Sequence, residues 1–200
     1  MVSTQIERAI IVHGYLGNSG KHWFPELIDD LVKIGIDARA TDLPSPEQPD
    51  LERWVEHLSL TIGQPDEGLL VVTHSLGGLA VAAYLGGLDY AFTLGGLLAV
   101  APFYNPLPIL PELDHFVAAV SAPEEKLATI GRSTLSRRVI RSDNDPYVPR
   151  GHSERYAQQL GASTVVDASA EHFFDRRYPS IATTAGELTQ LGQSHAGRST

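Results

Sequence analysis

Leu69-Leu70-Val71-Val72-Thr73-His74-Ser75-Leu76-Gly77 decides the fold, because its two ends read as different structures. The run Leu69 to Val72 is short, uninterrupted and apolar, the pattern of a strand buried on both faces. Gly78-Leu79-Ala80-Val81-Ala82-Ala83-Tyr84-Leu85, just beyond, reads as a helix. Ser75 therefore stands at the corner of a strand-turn-helix. A strained turn of this kind lifts the hydroxyl above the sheet, and the N–H of the next residue can hold an oxyanion. The usual pattern is Gly-x-Ser-x-Gly. Thr73 stands at the first glycine here, and its Cβ is expected to crowd the packing of strand against helix.

Outward from the elbow, short apolar strands alternate with longer amphipathic stretches. Ala9 to His13 reads as the first strand, stopped by Gly14. Trp23 to Lys33 reads as a helix, with Phe24, Leu27, Ile28 and Leu31 spaced by three and four. A strand from Ile36 to Ala40 follows, then a Pro-rich loop, Leu43 to Pro49. Asp50 is an N-cap candidate for a helix through Trp54, Val55 and Leu58. Gly96 to Ala101, Ser136 to Ser142 and Ala162 to Val166 read as further strands, with helices near Ser153–Leu160 and Pro179–Leu191. Repeated strand–helix alternation implies right-handed βαβ units and a mostly parallel sheet covered on both faces. Such sheets carry their sites beyond the carboxyl ends of the strands. Pro102 to Arg132, with five prolines, is the least regular stretch and is expected to form at most a small flap over an open, shallow site.

Composition narrows the function. Two hundred residues, 42% hydrophobic and 20% charged, suit one soluble domain, placed at residues 1–191 with a small, polar, frayed tail at 192–200. A formal charge of −9 argues against nucleic acid and against a polybasic membrane contact. The chain has no cysteine, which excludes disulfides, thiolate metal sites and cysteine nucleophiles. No apolar run reaches the ~18 residues of a membrane span, and no secretory leader is visible, so a cytoplasmic location is expected. The histidines lack His-x-x-x-His or His-Glu-x-x-His spacing, so no metal is expected. Gly14-x-x-Gly17-x-x-Gly20-Lys21 fails as a phosphate loop at both ends, at Tyr15 and at His22.

A serine nucleophile needs a general base, and the base needs an orienting carboxylate. The elbow pattern brings them in the order Ser, Asp or Glu, then His. Ser142-Asp143-Asn144-Asp145-Pro146-Tyr147-Val148-Pro149 follows the fifth strand, and Asp167-Ala168-Ser169-Ala170-Glu171-His172-Phe173-Phe174 the sixth. Both loops open on the edge that carries Ser75. His172 is the candidate base. Asp145, directly before Pro146, is preferred as the acid over Asp143, which suits a turn-capping role. Leu76 and Tyr15 are the candidate oxyanion donors, ahead of Gly14 and Leu16. Phe103, Phe173 and His74 are candidate pocket residues. His13 reads as a structural histidine at a strand end, while His152 and His195 have no motif context.

Together, His13-Gly14 with Trp23 downstream, His74-Ser75-Leu76-Gly77, Asp145-Pro146 with Val148-Pro149, and His172-Phe173 resemble one family. It comprises the compact serine hydrolases related to retinoblastoma-binding protein nine, and includes bacterial YdeN-type proteins. The resemblance runs from Ala9 to about Leu191. It implies a three-layer α/β-hydrolase fold, with about six strands in the order 2-1-3-4-5-6. It implies a cofactor-free Ser75–Asp145–His172 triad acting on an ester or related acyl bond of a small molecule. The family's retinoblastoma contact needs a Leu-x-Cys-x-Glu motif, which a chain without cysteine cannot carry. The alternatives are a binding or regulatory protein on the same fold, or an acyltransferase using the same triad.

Overall fold

The computed structural model describes residues 5–194. The chain runs β1 (Arg8–Val12), α1 (Phe24–Lys33), β2 (Asp37–Thr41), α2 (Leu51–Thr61), β3 (Leu69–His74), α3 (Leu76–Leu85) and β4 (Leu94–Val100). It continues through a 3₁₀ turn (Pro111–Leu113), α4 (Asp114–Ala119), α5 (Pro123–Arg132), β5 (Thr134–Arg141), α6 (Arg150–Leu160), β6 (Ser163–Val166) and α7 (Pro179–Ser194). All five strand pairs are parallel, and the sheet order is β2-β1-β3-β4-β5-β6. This is the α/β-hydrolase fold. No helix among the described residues is long and apolar enough to cross a membrane.

Strand alternation divides the core in two. Ile10, Val12, Val71, Leu97 and Val139 point to one face, where they meet Trp54, Leu58, Leu79, Leu127 and Leu160. Ala9, Ile11, Leu70, Val72, Leu98 and Ile140 point to the other, against Phe24, Leu27, Leu31, Ile181 and Leu188. Because both faces are covered, every residue of β3 and β4 is buried, and these strands read as unbroken apolar runs. α3 lies between the sheet and its neighbours α2 and α5, so it is apolar all round and shows no amphipathic face. By contrast α2 has a wet face and a cap: Asp50 accepts a hydrogen bond from the Arg53 N–H at 2.9 Å.

Three expectations need revision. The helix after Ser75 begins at Leu76 rather than Gly78. Of the Pro-rich stretch 102–132, α5 is an ordinary crossover helix packed on α3 and α6, and α4 carries Phe116 onto Trp54 at 5.1 Å between ring centroids. Pro123 opens α5 in its first turn, where its missing N–H costs nothing. At the C-terminus α7 extends to Ser194, into the expected tail, and the rest of that tail, with His195, lies outside the described residues.

Candidate active site

Parallel strands end at one edge, and the loops leaving β1, β3, β5 and β6 meet there. Ser75 sits between β3 and α3 with φ 54° and ψ −125°, a conformation that non-glycine residues rarely adopt. Two backbone bonds hold the turn. The Ser75 N–H donates to Val100 O at 2.9 Å, and the Gly78 N–H to Ser75 O at 3.0 Å. The turn is also wedged from below. A Cβ at Gly77 would lie 2.4 Å from the His13 carbonyl oxygen, and one at Gly14 would lie 2.9 Å from the His74 carbonyl oxygen. Glycine at both positions lets the loop after β1 press against the elbow.

Thr73 fits for a related reason. Its hydroxyl faces Gly78, where a Cβ would stand 3.3 Å from Thr73 Oγ1 and 3.4 Å from both Pro102 Cβ and the Tyr156 hydroxyl. Glycine at position 78 thereby leaves room for the Thr73 hydroxyl. Thr73 Oγ1 is buried and has no hydrogen-bond partner among the described residues.

The three polar candidates converge. His172 Nε2 lies 3.0 Å from Ser75 Oγ, and His172 Nδ1 lies 2.7 Å from Asp145 Oδ2. The other carboxylate oxygen of Asp145 accepts the N–H groups of Tyr147 and Val148, each at 2.9 Å. A carboxylate facing Nδ1 fixes the proton there, so Nε2 accepts from the serine hydroxyl. Asp143 is elsewhere, half-exposed and paired with Arg141 at 2.5 Å. Around the oxyanion position, the Leu16 N–H is already bonded to Pro46 O at 2.9 Å. The N–H groups of Tyr15 and Leu76 make no hydrogen bond among the described residues.

His13 holds the loop that carries Tyr15. Its Nε2 accepts the Leu43 N–H at 2.9 Å, so Nδ1 carries the proton and donates to Gly14 O at 2.7 Å. Burial lowers its pKa from the ordinary histidine value. Burial, and then the neighbouring His172, push His74 well below the ordinary value. His22, at the rim, is lowered chiefly by burial as well. The site thus rests on imidazoles kept neutral at physiological pH.

The cleft above Ser75 encloses about 280 Å³ and is lined by Tyr15, Leu16, Lys21, His22, His74, Leu110, Leu113, Tyr147 and Phe174. Leu110 and Leu113 are the contribution of the Pro-rich segment. Of the three candidate pocket residues, His74 lines the cleft, and Phe103 and Phe173 do not. Phe103 is fully buried on the α3 side of the sheet and Phe173 on the α1 side. At Phe173 a φ of 60° turns the ring inward onto Tyr178, at 5.1 Å, and leaves Phe174 at the mouth, 49% exposed. Leu110 and Leu113 carry no motif signal, and Leu16, Lys21, His22 and Tyr147, although beside motif residues, are marked as lining only by their place in the cleft.

Residues 9–177 match the family described as serine hydrolase. YdeN of Bacillus subtilis (strain 168) is 36% identical over 169 residues, which span 84% of this chain and 87% of YdeN. The crystal structure of the ydeN gene product from B. subtilis superposes with a TM-score of 0.83 at 33% identity, covering 91% of this chain and 98% of that one. Est1E from Butyrivibrio proteoclasticus shares the fold at 16% identity, with a TM-score of 0.69 and coverage of 98% and 90%.

Two outcomes follow from this geometry. Gly78→Ala should cost about 1–3 kcal/mol by overpacking, and Thr73→Ala should relieve part of it, giving a coupling of about 0.5 kcal/mol or more in a double-mutant cycle. Strictly additive effects in urea unfolding would refute the size exchange. Separately, His13, His22 and His74 have folded pKa values below the ordinary 6.5, so the unfolded chain binds more protons as pH falls past 6.5. Unfolding free energy should therefore be flat in pH just above that value and decline below it. A urea midpoint unchanged between pH 7.5 and pH 5.5, at constant m-value, contradicts this.

Proposed function

The chain belongs to the serine hydrolase family, and from that premise we propose that it cleaves a carboxylic ester of a small substrate through an acyl-enzyme on Ser75. The observation that carries this reading is the unbroken hydrogen-bonded line from Asp145 through His172 to Ser75, at 2.7 and 3.0 Å.

Each member has a role set by its surroundings. His172 Nε2 takes the hydroxyl proton as Ser75 Oγ attacks the ester carbonyl. Asp145 holds the ring orientation and stabilises the imidazolium, while its second oxygen stays bound to two backbone N–H groups. The N–H groups of Leu76 and Tyr15 receive the oxyanion. His172 then returns the proton to the departing alcohol. In the second half, water attacks the acyl carbonyl with His172 again as base, and Ser75 leaves with its hydroxyl restored. The walls, chiefly Tyr15, Leu16, Leu110, Leu113 and Phe174, favour an apolar group of modest size, in keeping with a cleft of about 280 Å³.

A fluorophosphonate probe should label the folded protein and leave Ser75→Ala unlabelled. Hydrolysis of a short-chain aryl ester should fall about 10³-fold or more in His172→Ala and Asp145→Ala, but only slightly in Asp143→Ala. Equal labelling of the wild type and Ser75→Ala, or loss of activity in Asp143→Ala alone, sinks the assignment.

A further inference from the structure

The loop that carries His172 is strained. Glu171 and Phe173, on either side, have φ values of 50° and 60°. Left-handed backbone costs a non-glycine residue about 1–3 kcal/mol, so it persists only where the surroundings impose it. The Glu171 N–H donates to Asn144 Oδ1 at 2.9 Å, and the Phe173 N–H to Ala170 O at 3.0 Å. The carbonyl of His172 itself has one partner among the described residues, His74 Nε2, at 2.9 Å. A carbonyl only accepts, so His74 is the tautomer with its proton on Nε2.

His74 is suited to hold that carbonyl. It ends the fully buried strand β3 and is 3% exposed. Trp23 and Phe24 stand roughly edge-on to its ring, each with centroids 6.0 Å away, and the His172 ring lies at 5.0 Å. It directly precedes Ser75. One rigid segment therefore carries the nucleophile and grips the backbone of the base, 98 residues away along the chain. Burial keeps the ring uncharged, so no second cation stands beside the imidazolium that forms on His172.

We propose that His74 is a positioning residue, whose Nε2–H holds the His172 carbonyl and so fixes His172 Nε2 against Ser75 Oγ. This rests on the hydrolase reading above. A misplacement of about 1 Å at reacting atoms can cost about 100-fold in rate, and the ring kept in His74→Phe preserves the wall that His74 gives the cleft. Loss of the donor is therefore read in kcat rather than KM.

The test compares two variants on an aryl ester. His74→Phe keeps a buried ring and removes the donor, while His74→Gln places an amide N–H at a similar reach. At equal folded fraction, kcat of His74→Phe should fall about 10- to 100-fold with KM within about threefold, and fluorophosphonate labelling should slow in parallel. His74→Gln should recover most of the loss. Wild-type kcat in His74→Phe, or a Gln variant as slow as the Phe variant, overturns the proposal. A wild-type measurement covers the case in which neither variant folds. Nitrogen-15 ring correlations should show His74 as the neutral Nε2–H tautomer between pH 6 and pH 8, and an Nδ1–H tautomer overturns the proposal. If the wild type itself resists the fluorophosphonate, the hydrolase reading falls, while the tautomer result still decides the hydrogen bond.

Discussion

The turn at Ser75 depends on how closely the end of β1 approaches the start of α3. The missing side chain of Gly77 admits the His13 carbonyl beside the turn in which Ser75 takes its positive φ. The bond from the Ser75 N–H to Val100 O then ties the same turn to β4. One local conformation is thus braced by both neighbouring strands. This suits a site at the centre of the sheet better than one at its edge.

Strain is concentrated where the chemistry is proposed. Of the eight non-glycine residues with positive φ among the described residues, seven lie in loops that leave the carboxyl ends of strands: Leu16, His22, Ser45, Ser75, Ala101, Glu171 and Phe173. Each such residue is disfavoured by about 1–3 kcal/mol and must be imposed by packing or hydrogen bonds. The buried histidines supply some of those bonds. His13 fastens the first loop through the Gly14 carbonyl, and His74 fastens the last through the His172 carbonyl. His22 adds a third contact of the same kind, with Nδ1 3.0 Å from the carbonyl of Phe174.

Much of this was legible in the amino-acid sequence, for definite reasons. Unbroken runs such as Leu69 to Val72 announce strands covered on both faces, and parallel strands ending at one edge explain why Ser75, Asp145 and His172 can meet although distant in sequence. Other features were hidden because they depend on contacts across the chain. The prolines between Pro102 and Pro123 suggest irregular structure, yet Pro123 begins a helix. Phe173 and Phe174 are adjacent and chemically identical, and only the backbone at Phe173 decides which ring is buried. The exchange between Thr73 and Gly78 crosses the elbow, so a motif scanned at fixed spacing registers a missing glycine and not its replacement.

The loop that carries His172, the proposed base, leaves β6, which has four residues, no buried position and a single neighbouring strand. Ser75 instead leaves β3, buried throughout. Proteins open in cooperative pieces, and sparsely packed edges open first. Detachment of β6 and its loop would separate His172 from Ser75 while the central strands stay paired. On the proposed reading the chain would then lose its chemistry well before its fold, and activity would report the docking of one edge, not the survival of the whole.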